Sequence, residues 1–391
     1  MLIGGDVCPI GRNGPLFRDG NAAALFGDLL PYLVGADLVV VNLECPLIAE
    51  SAPILKVGPV LGADRCSIRG IKAAGIHVVN LANNHILDHG ASGLMSTIAV
   101  CEAEGIAPFG AGPDLAAASR PLIREINGLR IAFWGAAEHE FSIAGALHPG
   151  ANPLALPAFV RMVRSQRATF DFLVVLLHGG CEDYLYPSPR LMDICRFMVE
   201  EGASAVVCQH SHCPGCYERY NGAPIVYGQG NLLFDSGACR MGPWTEGFLL
   251  GLTFEKGTES RIELIPYVQS GEQPGAQQVM GRPRHNLLSA IQARNDQIRD
   301  GDFVCRQWHE WCQEHRYEYI GRIRNYSRLL RFLNKRFHFS DYIHTPKFWS
   351  QLLNTVQCES HREVLEVVLE QELSSIDPRR PSGSSLGRSE R

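Results

Sequence analysis

The stretch from residue 172 to residue 235 constrains this chain more than any other. It opens with FLVVLLHGGCEDYLYPSPR, continues through a helical run, and closes with GASAVVCQHSHCPGCYERYNGAPIVYGQGNLLFD. The apolar runs 172–177 and 203–208 are too short for helices, rich in Val and Leu, and bounded by Gly and charge, so both read as buried strands. Each ends in histidine: His178 follows the first directly, and His210 and His212 follow the second with only Ser211 between them. In an open α/β sheet, ligands bind at the carboxyl ends of the strands, because loops from neighbouring strands converge there. Three histidines at two such ends can meet, and neutral imidazole is the commonest protein ligand for a transition metal. The alternative is two unrelated histidine clusters, on the surface or in the core.

The same grammar of strand, polar cluster and helix repeats upstream, as expected of βα units. Residues 2–5 read as a short first strand with Asp6 at its end. Residues 38–41 are a buried strand with Asn42 and Glu44 at its exit. Residues 76–81 are another, and ANNHILDHG then delivers Asn83, Asn84, His85 and Asp88. Residues 129–134 form a further strand, followed by Glu138 and His139, a pair that reads as solvated loop. The Arg-rich segment 153–170 is an amphipathic helix covering the sheet. Segments 247–254 and 261–268 alternate around EKGTES and read as an antiparallel hairpin closing a domain over residues 1–268. The composition of 269–283 is that of a linker. Residues 284–375 read as helices, and the Pro-, Ser-, Gly- and Arg-rich end, 376–391, as a disordered tail.

Composition excludes several classes. A formal charge of -5 on 391 residues, with a pI near 6.3, leaves no electrostatic footprint for nucleic acid. No apolar run approaches the roughly 18 residues of a membrane helix, and MLIGGDV lacks the regions of a signal peptide, so no transmembrane segment and a cytoplasmic location are expected. Only five residues precede Asp6, which leaves room for a start further upstream. Thirteen scattered cysteines suit reduced, mostly buried thiols better than a disulfide framework.

Collected in order, the polar residues at strand exits are Asp6, Glu44, Asn84 with His85, His178, and His210 with His212. Two carboxylates, an amide and four histidines on separate strand ends form the kind of set that holds a pair of divalent metals and acidifies a water. The blocks GDVCPIGR, VVVNLECPL, NLANNHILDHG, LLHGGCEDYLYPSPR, GASAVVCQHSHCPG and APIVYGQGNLLFD resemble, in order and spacing, the capsule synthesis protein CapA family, which includes poly-γ-glutamate synthesis accessory proteins. That family is similar in turn to the calcineurin-like metallophosphoesterases. The resemblance implies a four-layer α/β/β/α sandwich, here with an α-helical C-terminal extension, and a site at the strand ends. It implies one ion on Asp6, Glu44 and His212, a second on Glu44, Asn84, His178 and His210, and His85 facing the leaving group. Arg12, Glu182 and Asn231 fall in matching blocks and are expected to face substrate. Mn, Fe or Zn suits such nitrogen and oxygen donors.

Two features depart from that pattern or compete with it. Metallophosphoesterases usually carry a histidine two residues after the first Asp, where this chain has Cys8, and the CapA family generally lacks that histidine too; a thiolate there would bind zinc, whereas a buried thiol would act as a small hydrophobe. Cys213 and Cys216 form a Cys-x-x-Cys pair, but it follows the metal histidines and no second pair completes a zinc site. A basic amphipathic helix, 320–337, reads either as a surface for an anionic polymer, membrane or acidic partner, or as a solvated helix face. The functional expectation is a metal-dependent hydrolase of capsule or exopolymer biosynthesis. Its partners would be an anionic polymer or phosphorylated precursor and other capsule-synthesis proteins. The alternative is a non-catalytic assembly factor that uses the metal pocket for binding.

Overall fold

The computed structural model describes residues 1–237, 242–340 and 345–376. The chain divides into two compact units, Met1–Asp300 and Gly301–Arg391. The first is built on two sheets whose main strands, in chain order, are β1 Leu2–Cys8, β2 Val39–Leu43, β3 Val78–Asn80, β4 Ala107–Phe109, β5 Leu122–Ile126, β6 Leu129–Ala137, β7 Phe172–His178, β8 Ala205–Gln209, β9 Tyr217–Tyr220, β10 Ala223–Val226, β11 Asn231–Phe234, β12 Glu246–Thr253, β13 Arg261–Gln269 and β14 Ala276–Gln278. One sheet runs β14-β13-β12-β1-β2-β3-β4, with β11 pairing in parallel to the distal half of β1; the other runs β9-β10-β8-β7-β6-β5.

The layering follows from which faces are apolar. Ile3, Val40, Val78, Phe248 and Leu250 of the first sheet pack with Phe133, Val174, Leu176, Val207 and Val226 of the second in one buried cluster, so the sheets lie face to face. On the outer face of the first sheet, Val7, Val39, Val41 and Val79 pack with Phe17, Leu25, Phe26, Ile71 and Leu94 from the covering helices. On the outer face of the second, Trp134 meets Phe159 of helix Leu156–Gln166 at a ring separation of 5.1 Å, and Cys208 meets Cys195 of helix Pro189–Glu200 at 3.5 Å. The result is the four-layer α/β/β/α sandwich.

Strand β1 extends past its sequence-predicted end, so Asp6 lies inside the strand. A Cβ on Gly5 would overlap the carbonyl of Gly230, so glycine there is what lets β1 and the turn before β11 approach. Parallel register then sets Asp6 beside Asn42 and Asn231, and Asn42 beside Asn80, one polar row across four strands. In the facing sheet His178 stands level with Ala137 and Gln209.

Other elements refine the sequence reading. Strand β5, which that reading does not assign, is hairpinned to β6 through Asn127-Gly128, both at positive φ (51° and 77°), the backbone a two-residue primed turn requires. Ala276–Gln278, inside the stretch with linker composition, is an edge strand on β13. Helix Gly281–Gln297 belongs to the first unit, where Arg294 donates to the carbonyls of Pro214 and Gly215 at 2.9 and 3.0 Å. In the second unit the basic segment is two helices, Arg316–Ile323 and Arg328–Phe337, because Asn325 turns left-handed (φ 50°) and Ser327 caps the second by accepting from the Leu330 amide. Residues 377–391, nearly all of the expected disordered tail, lie outside the described residues.

Candidate metal centre

Asp6, Glu44, Asn84, His85, His178, His210 and His212 are all buried and converge where the two sheets open. Ligand atoms of Asp6, Glu44 and His178 lie within 4.8 Å of one another, as do those of Glu44, His210 and His212; Glu44 is common to both sets. These sets divide the histidines differently from the two-ion assignment the resemblance implies, with His178 closing on Asp6 and His210 on His212. His178 nevertheless also reaches Asn84, its Nε2 being 3.1 Å from Asn84 Oδ1 and 3.4 Å from Glu44 Oε1.

Each group is held from behind. Asn42 Nδ2 donates to Asp6 Oδ1 at 2.7 Å and stands 3.2 Å from His178 Nδ1, tying the two sheets together. The His210 amide donates to Asp6 Oδ2 at 3.1 Å. Asn231 Oδ1 takes His212 Nδ1 at 2.8 Å, and the ring packs tilted against Trp244 with centroids 4.5 Å apart, which leaves Nε2 toward Glu44. His210 and His212 both adopt positive φ (95° and 55°), backbone that non-glycine residues rarely hold and that clusters at functional sites. His85 Nδ1 pairs with Asp88 Oδ2, 2.6 Å away.

The electrostatics suit a cation. Both oxygens of Glu44 are buried and accept no hydrogen bond, and His210 Nδ1 is buried without a partner. Leaving a carboxylate so placed without counter-charge costs several kcal/mol, about the penalty known for unpaired buried ions. Burial, reinforced by Glu44, pushes the Asp6 carboxyl up to about 6, and burial also raises Glu44. Burial lowers His178 to about 4 and takes His210 well below the usual imidazole range, so both rings are neutral and able to coordinate near neutral pH. His212 feels the same burial, but Glu44, Asp6 and Glu182 together outweigh it and raise its pKa. The residues therefore fit a divalent ion: orphaned oxygen, bare imidazole nitrogen, and donors of the N and O type.

Other expected residues have different places. Arg12 forms a two-pronged pair with Asp235 (2.8 and 2.9 Å) and donates to the carbonyls of Ser270, Gly271 and Glu272, so its guanidinium ties the loop after β1 to the end of β13. Asn231 is buried behind His212. Glu182 is exposed, and its charge is felt at His212. Cys8 is buried in the core with its thiol pushed up by burial and by Cys45, and Cys213 and Cys216 are free, buried thiols, Cys213 raised to about 12 by burial.

Three residues that the sequence reading passed over complete the surroundings. Asn42 stood at a strand exit but carried no role. Lys56, side chain only 2% exposed, donates to Asp88 Oδ1 at 2.6 Å and lies over the Phe141 ring. Glu140 Oε2 accepts from Asn84 Nδ2 at 3.1 Å and its Oε1 is 3.8 Å from His210 Nε2.

A family model described as bacterial capsule synthesis protein PGA_cap matches residues 1–236, more than half of the chain and nearly all the strands that carry the centre. The chain belongs to the PGA_cap family. Among curated relatives, this PGA_cap chain is 31% identical over 227 residues to "Capsule biosynthesis protein CapA" of Bacillus anthracis, covering 55% of each chain. It is 28% identical over 253 residues to "PGA biosynthesis protein CapA" of Bacillus subtilis (strain 168), covering 63% of this chain and 65% of the relative. The alignments thus span between about half and two thirds of the relatives' own length. Among solved structures, a hypothetical protein from Thermus thermophilus is similar at TM-score 0.45 and 19% identity over 68% of this chain and 98% of that one. The calcineurin-like phosphoesterase YfkN from Bacillus subtilis is similar at TM-score 0.34 and 13% identity over 64% and 81%. No helix among the described residues is long and apolar enough to cross a membrane.

Proposed function

We propose that this PGA_cap chain is a metal-dependent hydrolase of capsule or poly-γ-glutamate-type polymer biosynthesis, acting on a phosphoester or polymer bond. The observation that carries the reading is Glu44: a buried carboxylate without a hydrogen bond, shared by two histidine-carboxylate clusters. Asp6, Glu44, Asn84, His178, His210 and His212 would hold two divalent ions of the Mn, Fe or Zn type. Bound metal would supply Lewis acidity and an acidified water.

The chain's own groups prepare the rest. Asn42 keeps one Asp6 oxygen and the His178 ring in place, and Asn231 turns His212 toward Glu44. His85, fixed at Nδ1 by Asp88, has Nε2 left for a substrate oxygen and can hold a proton there for a departing group. It follows Asn84 directly in the chain and is buried with the donors, so it is near them without being one of them in this reading.

The test is metal analysis of the native protein followed by a screen on phosphomonoesters, phosphodiesters and γ-glutamyl polymers, with His85→Asn as the variant. The expected result is unchanged metal content and turnover lowered about 100- to 10,000-fold, the usual worth of a positioned acid. Unchanged turnover in His85→Asn, together with polymer binding by metal-depleted protein, would replace the hydrolase with a non-catalytic assembly factor.

A further inference from the structure

Glu140 is the carboxylate at this site that no strand-end motif includes. It sits in the loop after β6, three residues beyond Ala137, and its side chain is 38% exposed. One oxygen accepts from the amide nitrogen of Asn84 at 3.1 Å; the other faces Nε2 of His210 at 3.8 Å. Each contact has a directional consequence. An asparagine whose NH2 is held by a carboxylate must turn its carbonyl oxygen the other way, and Asn84 Oδ1 does lie on the His178 side, 3.1 Å from Nε2. At 3.8 Å His210 Nε2 is beyond a hydrogen bond from Glu140 but within the field of its carboxylate, which favours the tautomer with the proton on Nε2; His210 Nδ1 is then a bare lone pair, and it is the buried ring atom without a partner.

We propose that Glu140 is a positioning residue of the metal centre, turning the Asn84 oxygen toward His178 and keeping the His210 Nδ1 lone pair bare for a metal ion. This rests on the metal-centre reading above. Carboxylates behind metal-binding side chains fix tautomer and orientation, and their loss weakens metal binding without removing a ligand. Glu138, two residues away, offers an internal control: its side chain accepts from the Gly180 amide at 3.0 Å and pairs with Arg190, bracing the loop, while its backbone amide donates to the His178 carbonyl at 3.1 Å, a bond that Glu138→Gln leaves in place.

The experiment is a Mn2+ titration of the full chain, by calorimetry, for wild type, Glu140→Gln and Glu138→Gln. It is paired with 15N NMR of the His210 imidazole in metal-free protein at about pH 8, where a histidine of ordinary pKa is neutral, assigned with His210→Gln. Glu140→Gln keeps the shape and removes the charge. Its Mn2+ affinity should fall about 10- to 100-fold, Glu138→Gln should match wild type, and the His210 ring should change from Nε2-protonated to a tautomer mixture. Equal affinity in wild type and Glu140→Gln overturns the proposal, as does an equal loss in both variants, which would mean a loosened loop. If the wild type binds no divalent ion, the metal reading itself fails; the NMR comparison then decides the positioning role alone, and an unchanged tautomer overturns it.

Discussion

At the scale of single residues, the site's behaviour follows from which charges burial leaves unpaired. Asp6 must be ionised to hold a metal, and burial raises its pKa to about 6. Below that pH the metal-free site takes up a proton that an entering cation must displace, whereas His178, lowered to about 4, is already neutral. Mn2+ affinity should therefore climb as pH rises through about 6 and keep climbing until His212, whose pKa is raised above the ordinary imidazole value, has lost its proton as well; calorimetric titrations across that range check it, and a flat profile would contradict the Asp6 and His212 assignments. Lys56 makes a different prediction. Asp88 takes Lys56, the Leu61 amide and His85 at 2.6 Å each, and the Lys56 and His85 side chains are almost wholly shielded from water. Replacing Lys56 by Met leaves a buried carboxylate short of its counter-charge, and breaking such a pair costs about 3 to 5 kcal/mol. The remaining two donors place this site at the lower end. Urea unfolding should show the loss, and an unchanged midpoint would mean that the hydrogen bonds from the Leu61 amide and His85 satisfy Asp88 without Lys56.

At the scale of elements, β1 decides the geometry. It is flanked by β2 on one edge and by β12 and β11 in succession on the other, and it carries Asp6 in register with Asn42 and Asn231. Gly5 is a position that tolerates nothing larger, because its neighbour is the backbone of Gly230 and not a side chain that can swing away. Gly5→Ala should destabilise the fold by about 1 to 3 kcal/mol or more, the range for overpacking a core, and should weaken metal binding as well, since Asp6 follows directly. Thermal unfolding and metal content of the same preparation test both. The strand-exit histidines were legible because each follows an unbroken apolar run, a local signal. Strand β5 was less visible: its residues are only half-buried, so its periodicity is weak, although Asn127-Gly128 is a strong turn signal. The basic segment in 320–337 looked continuous because amphipathic spacing survives a one-turn break, and only the left-handed backbone at Asn325 and the Ser327 cap mark it.

At the scale of the whole molecule, the first unit, Met1–Asp300, contains both sheets, their covering helices and every proposed metal donor. A fragment ending at residue 300 should fold cooperatively and bind Mn2+ as the full chain does. Loss of binding in a fragment that still unfolds in one transition would assign the second unit a part in the site. From sequence alone came the alternation of strands and helices, the histidines at strand ends, and the two carboxylates and amide that accompany them. These follow from local chemistry: hydrophobic runs specify buried strands, and the polar residues that interrupt them mark the ends. Only the tertiary structure decided that Arg12 is engaged by Asp235 and three carbonyls, that Asn231 stands behind His212, and that Lys56 and Glu140 reach the site. Those placements depend on loops returning through space to strands distant in sequence. No periodicity encodes such a return; it is settled when two sheets pack and their open ends bring the loops together.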